Sequence, residues 1–136
     1  MARPYLGGTS AGIKELTAVS TLQIADSGKV FMLNSATEFA TTLPAPSNKG
    51  WEGTFMVKAA PSGASYTVVT PSGAILGSVA AGAAAGGADT SDGSDTIITF
   101  VDGSAVVGDY VKIVSDGTNY YIVGGLGKVA AGITIS

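Results

Sequence analysis

Apolar and polar residues alternate with period two in short runs along most of the chain, and turn residues separate the runs. These runs occupy 16–24, 29–33, 39–43, 54–59, 65–70, 75–79, 96–101, 109–115, 118–123 and 132–135. Successive side chains on a strand point to opposite faces, so the pattern predicts β-strands with at least one face in a core. Between them stand Asp26-Ser27-Gly28, Pro44-Ala45-Pro46, Asn48-Lys49-Gly50, Pro61-Ser62-Gly63, Pro71-Ser72-Gly73 and Asp102-Gly103, residues that end strands and make turns. Most run starts lie roughly 8–15 residues apart, which suits a β-sandwich, jelly-roll-like fold or small barrel. The predicted fold is all-β with almost no helix: a β-domain over 17–136 preceded by an extended arm over 1–16.

The sharpest local signal is DYVKIVSDGTNYYIVG over 109–124. Asp116-Gly117 is the dipeptide that best tolerates a two-residue type I′ turn, which needs positive φ at both central positions. That turn predicts Ser115 opposite Thr118, Ile113 opposite Tyr120 and Val111 opposite Ile122 on one face. Val114 opposite Asn119, Lys112 opposite Tyr121 and Tyr110 opposite Val123 fall on the other. Phe31, Phe55, Phe100, Val111, Ile113, Tyr120 and Ile122 are the expected core, and Trp51 is expected to cap one end of it. The second hairpin face (Tyr110, Lys112, Val114, Tyr121, Val123) is too apolar to be left in water without a reason, and is the candidate subunit interface. Other strands are also apolar on both faces; Met56, for example, sits between Phe55 and Val57. Such strands are expected where one face packs a core and the other meets a second layer or another subunit.

Two segments depart from the strand pattern. In residues 1–16, Pro4, Gly7-Gly8 and Gly12 prevent regular structure, while Tyr5, Leu6 and Ile13 offer apolar anchors. Either this is a frayed terminus or an arm that orders against a neighbour, with Arg3, Pro4, Tyr5, Leu6 and Ile13 as contacts. The stretch GSVAAGAAAGGADTSDG over 77–93 is low in complexity. Glycines at roughly 1 kcal/mol each against alanine remove its helical advantage, so a long flexible loop is expected.

Composition narrows the function classes. The chain has 136 residues, 46% of them hydrophobic, 12% charged and 20 of them glycine, with a net charge of −3. Its seven Lys and Arg are scattered singly, which argues against nucleic-acid binding. Without cysteine there are no disulfides, thiolate metal sites or thiol nucleophiles. Without histidine the commonest general base and the usual zinc ligand are missing. No secretory signal or apolar membrane span is read from the sequence, so a soluble protein is expected.

The remaining candidate chemistry is weak. Ser10 lies between glycines in Gly-Thr-Ser-Ala-Gly (8–12), but in the presumed arm, not at a strand-to-helix elbow. Asp89, Asp92 and Asp95 lack the order and the terminal glutamate of a calcium loop, and read as polar turn residues. Gly124-Gly125-Leu126-Gly127-Lys128 lacks the phosphate-loop spacing and follows an antiparallel strand. No pair of the ten acids is singled out for glycoside hydrolysis. These observations predict a protein that is not an enzyme and takes no cofactor or metal.

Several strings carry a family resemblance: MARPYLGGTSAGIKELTA, ADSGKVFMLNSAT, TTLPAP, DTIITFV and GDYVKIVSDGTNYYIVGG. They resemble small virion proteins of tailed bacteriophages, in the head decoration (cement) class. The likeness runs along nearly the whole chain and is most specific over 25–46 and 108–120. Similar blocks also occur in phage tail-fibre domains; the short length and the N-terminal arm favour the head. The Ala/Gly-rich stretch at 77–93 matches poorly, and no contact is carried over there. The resemblance implies a homotrimer of β-sandwich or jelly-roll-like subunits on the exterior of the capsid. Its partner would be the major capsid protein, with neither nucleic acid nor membrane involved. A receptor- or glycan-binding module of a tail or head fibre, using Tyr110 and Tyr121, is the alternative.

Overall fold

The computed structural model describes residues 12–82 and 89–136, and in them the chain is an all-β, two-sheet sandwich-like fold. Residues 12–69 wind as a coil in which consecutive strands fall in opposite sheets. The first turn holds β1 (Ile13–Leu16) and β2 (Ser20–Thr21). The second holds β3 (Lys29–Leu33) and β4 (Ala40–Thr42), the third β5 (Glu52–Val57) and β6 (Tyr66–Val69). Strands β1, β3 and β5 pair in parallel in one sheet, and β2, β4 and β6 in the other. Parallel neighbours need a crossover connection. Here each crossover is itself a strand of the facing sheet.

The second half is mostly antiparallel. β7 (Ile75–Leu76), β8 (Ser78–Ala81) and β9 (Asp89–Thr90) join the first sheet beyond the hairpin of β11 (Tyr110–Ser115) and β12 (Tyr120–Gly127). That hairpin packs its β11 edge against β5. β10 (Ile97–Phe100) and β13 (Ile133–Ile135) complete the second sheet beside β6. The strand orders are β1-β3-β5-β11-β12-β8-β9, with β7 also on β12, and β13-β10-β6-β4-β2.

The alternation in the sequence is what fills the space between the sheets. Inward positions of β5, β6 and β11 are buried at every second residue. Phe31, Phe55, Phe100, Val111, Ile113 and Tyr120 are all fully buried, and Ile122 packs against them. Each such side chain contributes roughly 1.5–3 kcal/mol by leaving water. Trp51 closes one end of this core. Its ring stacks on Phe31 at 6.2 Å and meets Tyr120 edge-on at 6.0 Å, and Phe31 stacks on Phe55 at 5.0 Å. Gly53 makes room for this stack, since a Cβ there would lie 2.8 Å from Phe31 and 2.9 Å from Trp51. The Trp51 indole N–H donates to the Gln23 carbonyl at 3.1 Å, so its polar edge is satisfied.

Four expectations are corrected. Residues Ile13–Leu16 of the presumed arm form β1, because Leu16 is a core residue and β1 lies along β3 in register. The run at 16–24 is not one strand: β2 covers two residues, and Ile24–Asp26 form a 3-10 turn. The stretch 77–93 contains strands at β8 and β9, since Val79 reaches the core and draws this segment onto β12.

The fourth correction is the hairpin register. Ser115 faces Tyr120, Val114 faces Tyr121 and Ile113 faces Ile122, which leaves a four-residue loop. Gly117 has φ +104 but Asp116 has no positive φ, so a type I′ turn is absent. The Asp116 carboxylate accepts from the amides of Thr118 and Asn119, both at 2.8 Å, and the Ser115 hydroxyl accepts from Gly117 N–H at 3.1 Å. These side-chain caps satisfy the wider loop, and the shift of two residues keeps the inward set inward. Further along, a bulge at Lys112/Ile113 leaves Val123 without an opposite residue, so Lys112 faces Gly124 and Tyr110 faces Leu126.

Two buried polar groups give direct tests. The Thr41 hydroxyl is fully buried on the inner side of β4 with no hydrogen-bond partner among the described residues. Thr41→Val keeps the shape and removes the unpaired group, so urea unfolding should show a gain of about 1 kcal/mol. Tyr120 donates its hydroxyl to the Pro44 carbonyl at 2.9 Å, and burial pushes the phenol up to about 12. In the unfolded chain a tyrosine ionises near 10. Because the folded value is raised, the contribution is intact below about pH 10 and is lost as pH rises through about 12. Tyr120→Phe should lack that part of the alkaline loss when unfolding is measured across the same window.

Candidate functional site: the outer face of the larger sheet

The inner face of the larger sheet packs the core, so the outward side chains of the same strands form a second surface. Register places them in rows. One row runs Glu15, Met32, Met56, Tyr110, Leu126, Ala80 across β1, β3, β5, β11, β12 and β8. The next row is Ile13, Val30, Thr54, Lys112, Gly124. Glu52, Val114, Tyr121 and Leu76 make a third. Five of the six positions in the first row are apolar or aromatic, and none of this row is fully buried. Adjacent strands lie about 4.8 Å apart, so the band from Met32 to Ala80 spans roughly 19 Å.

Local chemistry explains how the band holds its shape. Tyr110 leans over Gly124, whose missing Cβ would lie 4.0 Å from the ring edge. Covering a sheet glycine with an aromatic ring in this way restores packing that the glycine lacks. Gly125, on the inner side, would place a Cβ 3.2 Å from Val79, a contact tighter than ordinary packing that Val79 would have to yield to. At the far edge Glu15 accepts from Lys58 Nζ at 2.6 Å and from the Asn34 side-chain amide at 2.5 Å. The Lys58 and Asn34 hydrogen bonds hold its carboxyl below the usual carboxylate range. Lys112 stands exposed in the middle row.

Of the predicted interface, Tyr110, Lys112, Val114 and Tyr121 share this outer face. Val123 is the extra residue of the bulge and is 57% exposed. Ile13, expected in a capsid-contacting arm, belongs to the same face through β1. Arg3, Pro4, Tyr5 and Leu6 lie outside the described residues. The surface also contains Met32, Met56, Leu126 and Ala80, which the hairpin alone did not reveal. Their signal was present in the runs that are apolar on both faces.

The structure does not bring the two candidate sugar-stacking rings together. Tyr110 and Tyr121 are four residues apart along the hairpin, roughly 13 Å at 3.3 Å per residue. The acids at 89–95 serve the backbone. Asp89 accepts from Ile135 N–H at 2.5 Å, Asp92 from Ser94 N–H at 2.9 Å and Asp95 from Asp92 N–H at 2.8 Å. Among the described residues no group of three or more Asp, Glu, His or Cys is placed to hold a metal ion. Asp109 is buried and structural, accepting from Val106 N–H at 3.0 Å and Lys128 N–H at 2.9 Å. No helix among the described residues is long and apolar enough to cross a membrane. No protein-family model matches this chain, and a search of curated proteins returned no match.

Proposed function

We propose that this chain is a non-enzymatic structural protein of a tailed-bacteriophage virion: a decoration (cement) protein, a homotrimer, that binds the exterior of the assembled head and stabilises it. The observation that carries the reading is the apolar outer face of the larger sheet, centred on Met56 and Tyr110. Apolar patches left at a surface are commonly interaction sites, and a protein contact is the reading adopted for this one. The resemblance of 25–46 and 108–120 to phage virion proteins supplies the class. A cement protein needs no reacting groups; it works by covering apolar area on several neighbours at about 25 cal/mol per Å², repeated over many copies. Its partners are then the major capsid protein and other copies of itself.

Cryo-electron microscopy of the particle that carries this protein tests the address. Trimeric density on the outer shell at three-fold and quasi-three-fold positions is expected. Density confined to a tail or head fibre would overturn it in favour of the receptor-binding alternative. In solution, Met56→Glu should fold normally yet weaken the subunit contact by about 2 kcal/mol, roughly thirtyfold in dissociation constant. Sedimentation equilibrium of the variant beside the wild type reads that shift, and an unchanged trimer would remove this face from the contact.

A further inference from the structure

The first turn of the coil, residues 12–26, ends both sheets on the same side: among the described residues β1 is outermost in one sheet and β2 in the other. In a stack of similar turns each inner turn is covered on both sides, but the last must meet water and needs a polar outer surface. The inward side chains change along the coil in that sense. The third turn supplies Phe55 and Tyr66 and the second Phe31, whereas the first sets Lys14 and Ser20 beside the smaller core residues Leu16 and Leu22. Lys14 lies opposite Phe31 in register and shares the inner side of β1 with Leu16.

That lysine is held in place. Its ammonium meets both carboxylate oxygens of Asp26 at 3.2 Å. Asp26 in turn accepts from the Gln23 amide at 2.9 Å and from Lys29 Nζ at 3.0 Å. Burial raises the Asp26 carboxyl, but the Gln23 amide and the two lysines outweigh it and leave it below the ordinary value. The Asp26 side chain is 7% exposed while Lys14 keeps 39% of its side chain in water. The same turn also carries exposed apolar side chains: Ile13, Val19 and Ile24 are 59%, 76% and 63% exposed.

We propose that Lys14, anchored by Asp26, is a blocking charge on the outermost described turn of the coil that keeps a second copy of this chain from stacking its own first turn there. An inward-pointing charge on an edge strand is a recurrent defence against edge-to-edge pairing. A stacked copy would cover the half-exposed ammonium, and one carboxylate already shared with Lys29 does not replace the water lost. Without that charge, the edge of β1, unpaired among the described residues, and the exposed Ile13 would face a copy of themselves across a two-fold axis. The block is independent of the virion reading, since it concerns only how copies of the chain avoid one another.

Lys14→Leu is the direct test, because Asp26 keeps Lys29 as its partner and no carboxylate is orphaned. By sedimentation velocity the variant should have about twice the mass of the wild-type species at the same concentration, as a closed two-fold contact requires. Lys14→Arg should match the wild type. Hydrogen exchange should show the β1 amides slowed in the associated form. A folded Lys14→Leu protein of wild-type mass at every concentration overturns the proposal. If the leucine variant does not fold, Lys14→Ala is measured in the same way, and wild-type mass there overturns it equally.

Discussion

Gly73→Ala is expected to destabilise the fold by about 3–4 kcal/mol, a left-handed backbone penalty of roughly 1 kcal/mol added to an overpacking cost of about 2–3 kcal/mol. Gly73 has φ +69, and a Cβ at this position would overlap the Thr118 carbonyl oxygen while lying 3.2 Å from both Asn119 Oδ1 and Pro46. The obstructing atom is backbone, so no side-chain rotation relieves it. The loop that Gly73 abuts is the tip of the central hairpin, where Asn119 also accepts from Ala74 N–H at 2.8 Å. Thermal unfolding followed by circular dichroism should therefore show a melting temperature lower by roughly 10 °C or more, at a few degrees per kcal/mol for a domain of this size. A shift of only a degree or two would mean that the tip moves freely and that the four-residue loop is not held as described.

Asp109→Ala should cost about 3 kcal/mol. The carboxylate is buried at the start of β11 and ties two separate segments to it, accepting from Val106 N–H on one side and Lys128 N–H on the other. Truncation leaves two amides without their acceptor, each at about 1–3 kcal/mol when buried. Asp109→Asn keeps one oxygen acceptor and should fall between the wild type and alanine. Both variants leave the outer face of the larger sheet intact, so in the virion reading they lower thermal stability while retaining shell binding once folded. Denaturant midpoints checked beside binding to heads separate these two effects, and loss of binding by folded Asp109→Asn would show the residue acting at the contact itself.

The candidate site was half legible before the fold was known. Alternation alone put Tyr110, Lys112, Val114 and Tyr121 on one side of the hairpin, and that survives a register shift of two because the side-chain period is two. It could not place Val123, because a bulge breaks the period and only the pairing partner reveals a bulge. Nor could it join Met32 and Met56 to Tyr110, since these residues meet through β3, β5 and β11, which are far apart in sequence. The Asp116-Gly117 dipeptide suggested a tighter turn than the one formed, because side-chain acceptors on Ser115 and Asp116 close a wider loop.

What this sequence determined by itself was the all-β class, most strand positions and the aromatic centre of the core, because strand alternation and aromatic spacing are local properties of the chain. Only the tertiary structure decided that the first six strands coil between two sheets, that 13–16 and 78–81 are strands and not arm and loop, and which residues share the outer face. Short, weakly patterned segments such as these become strands only when a neighbouring strand supplies hydrogen bonds and a core supplies burial for Leu16 and Val79. Those partners lie many residues away, and no local window contains them.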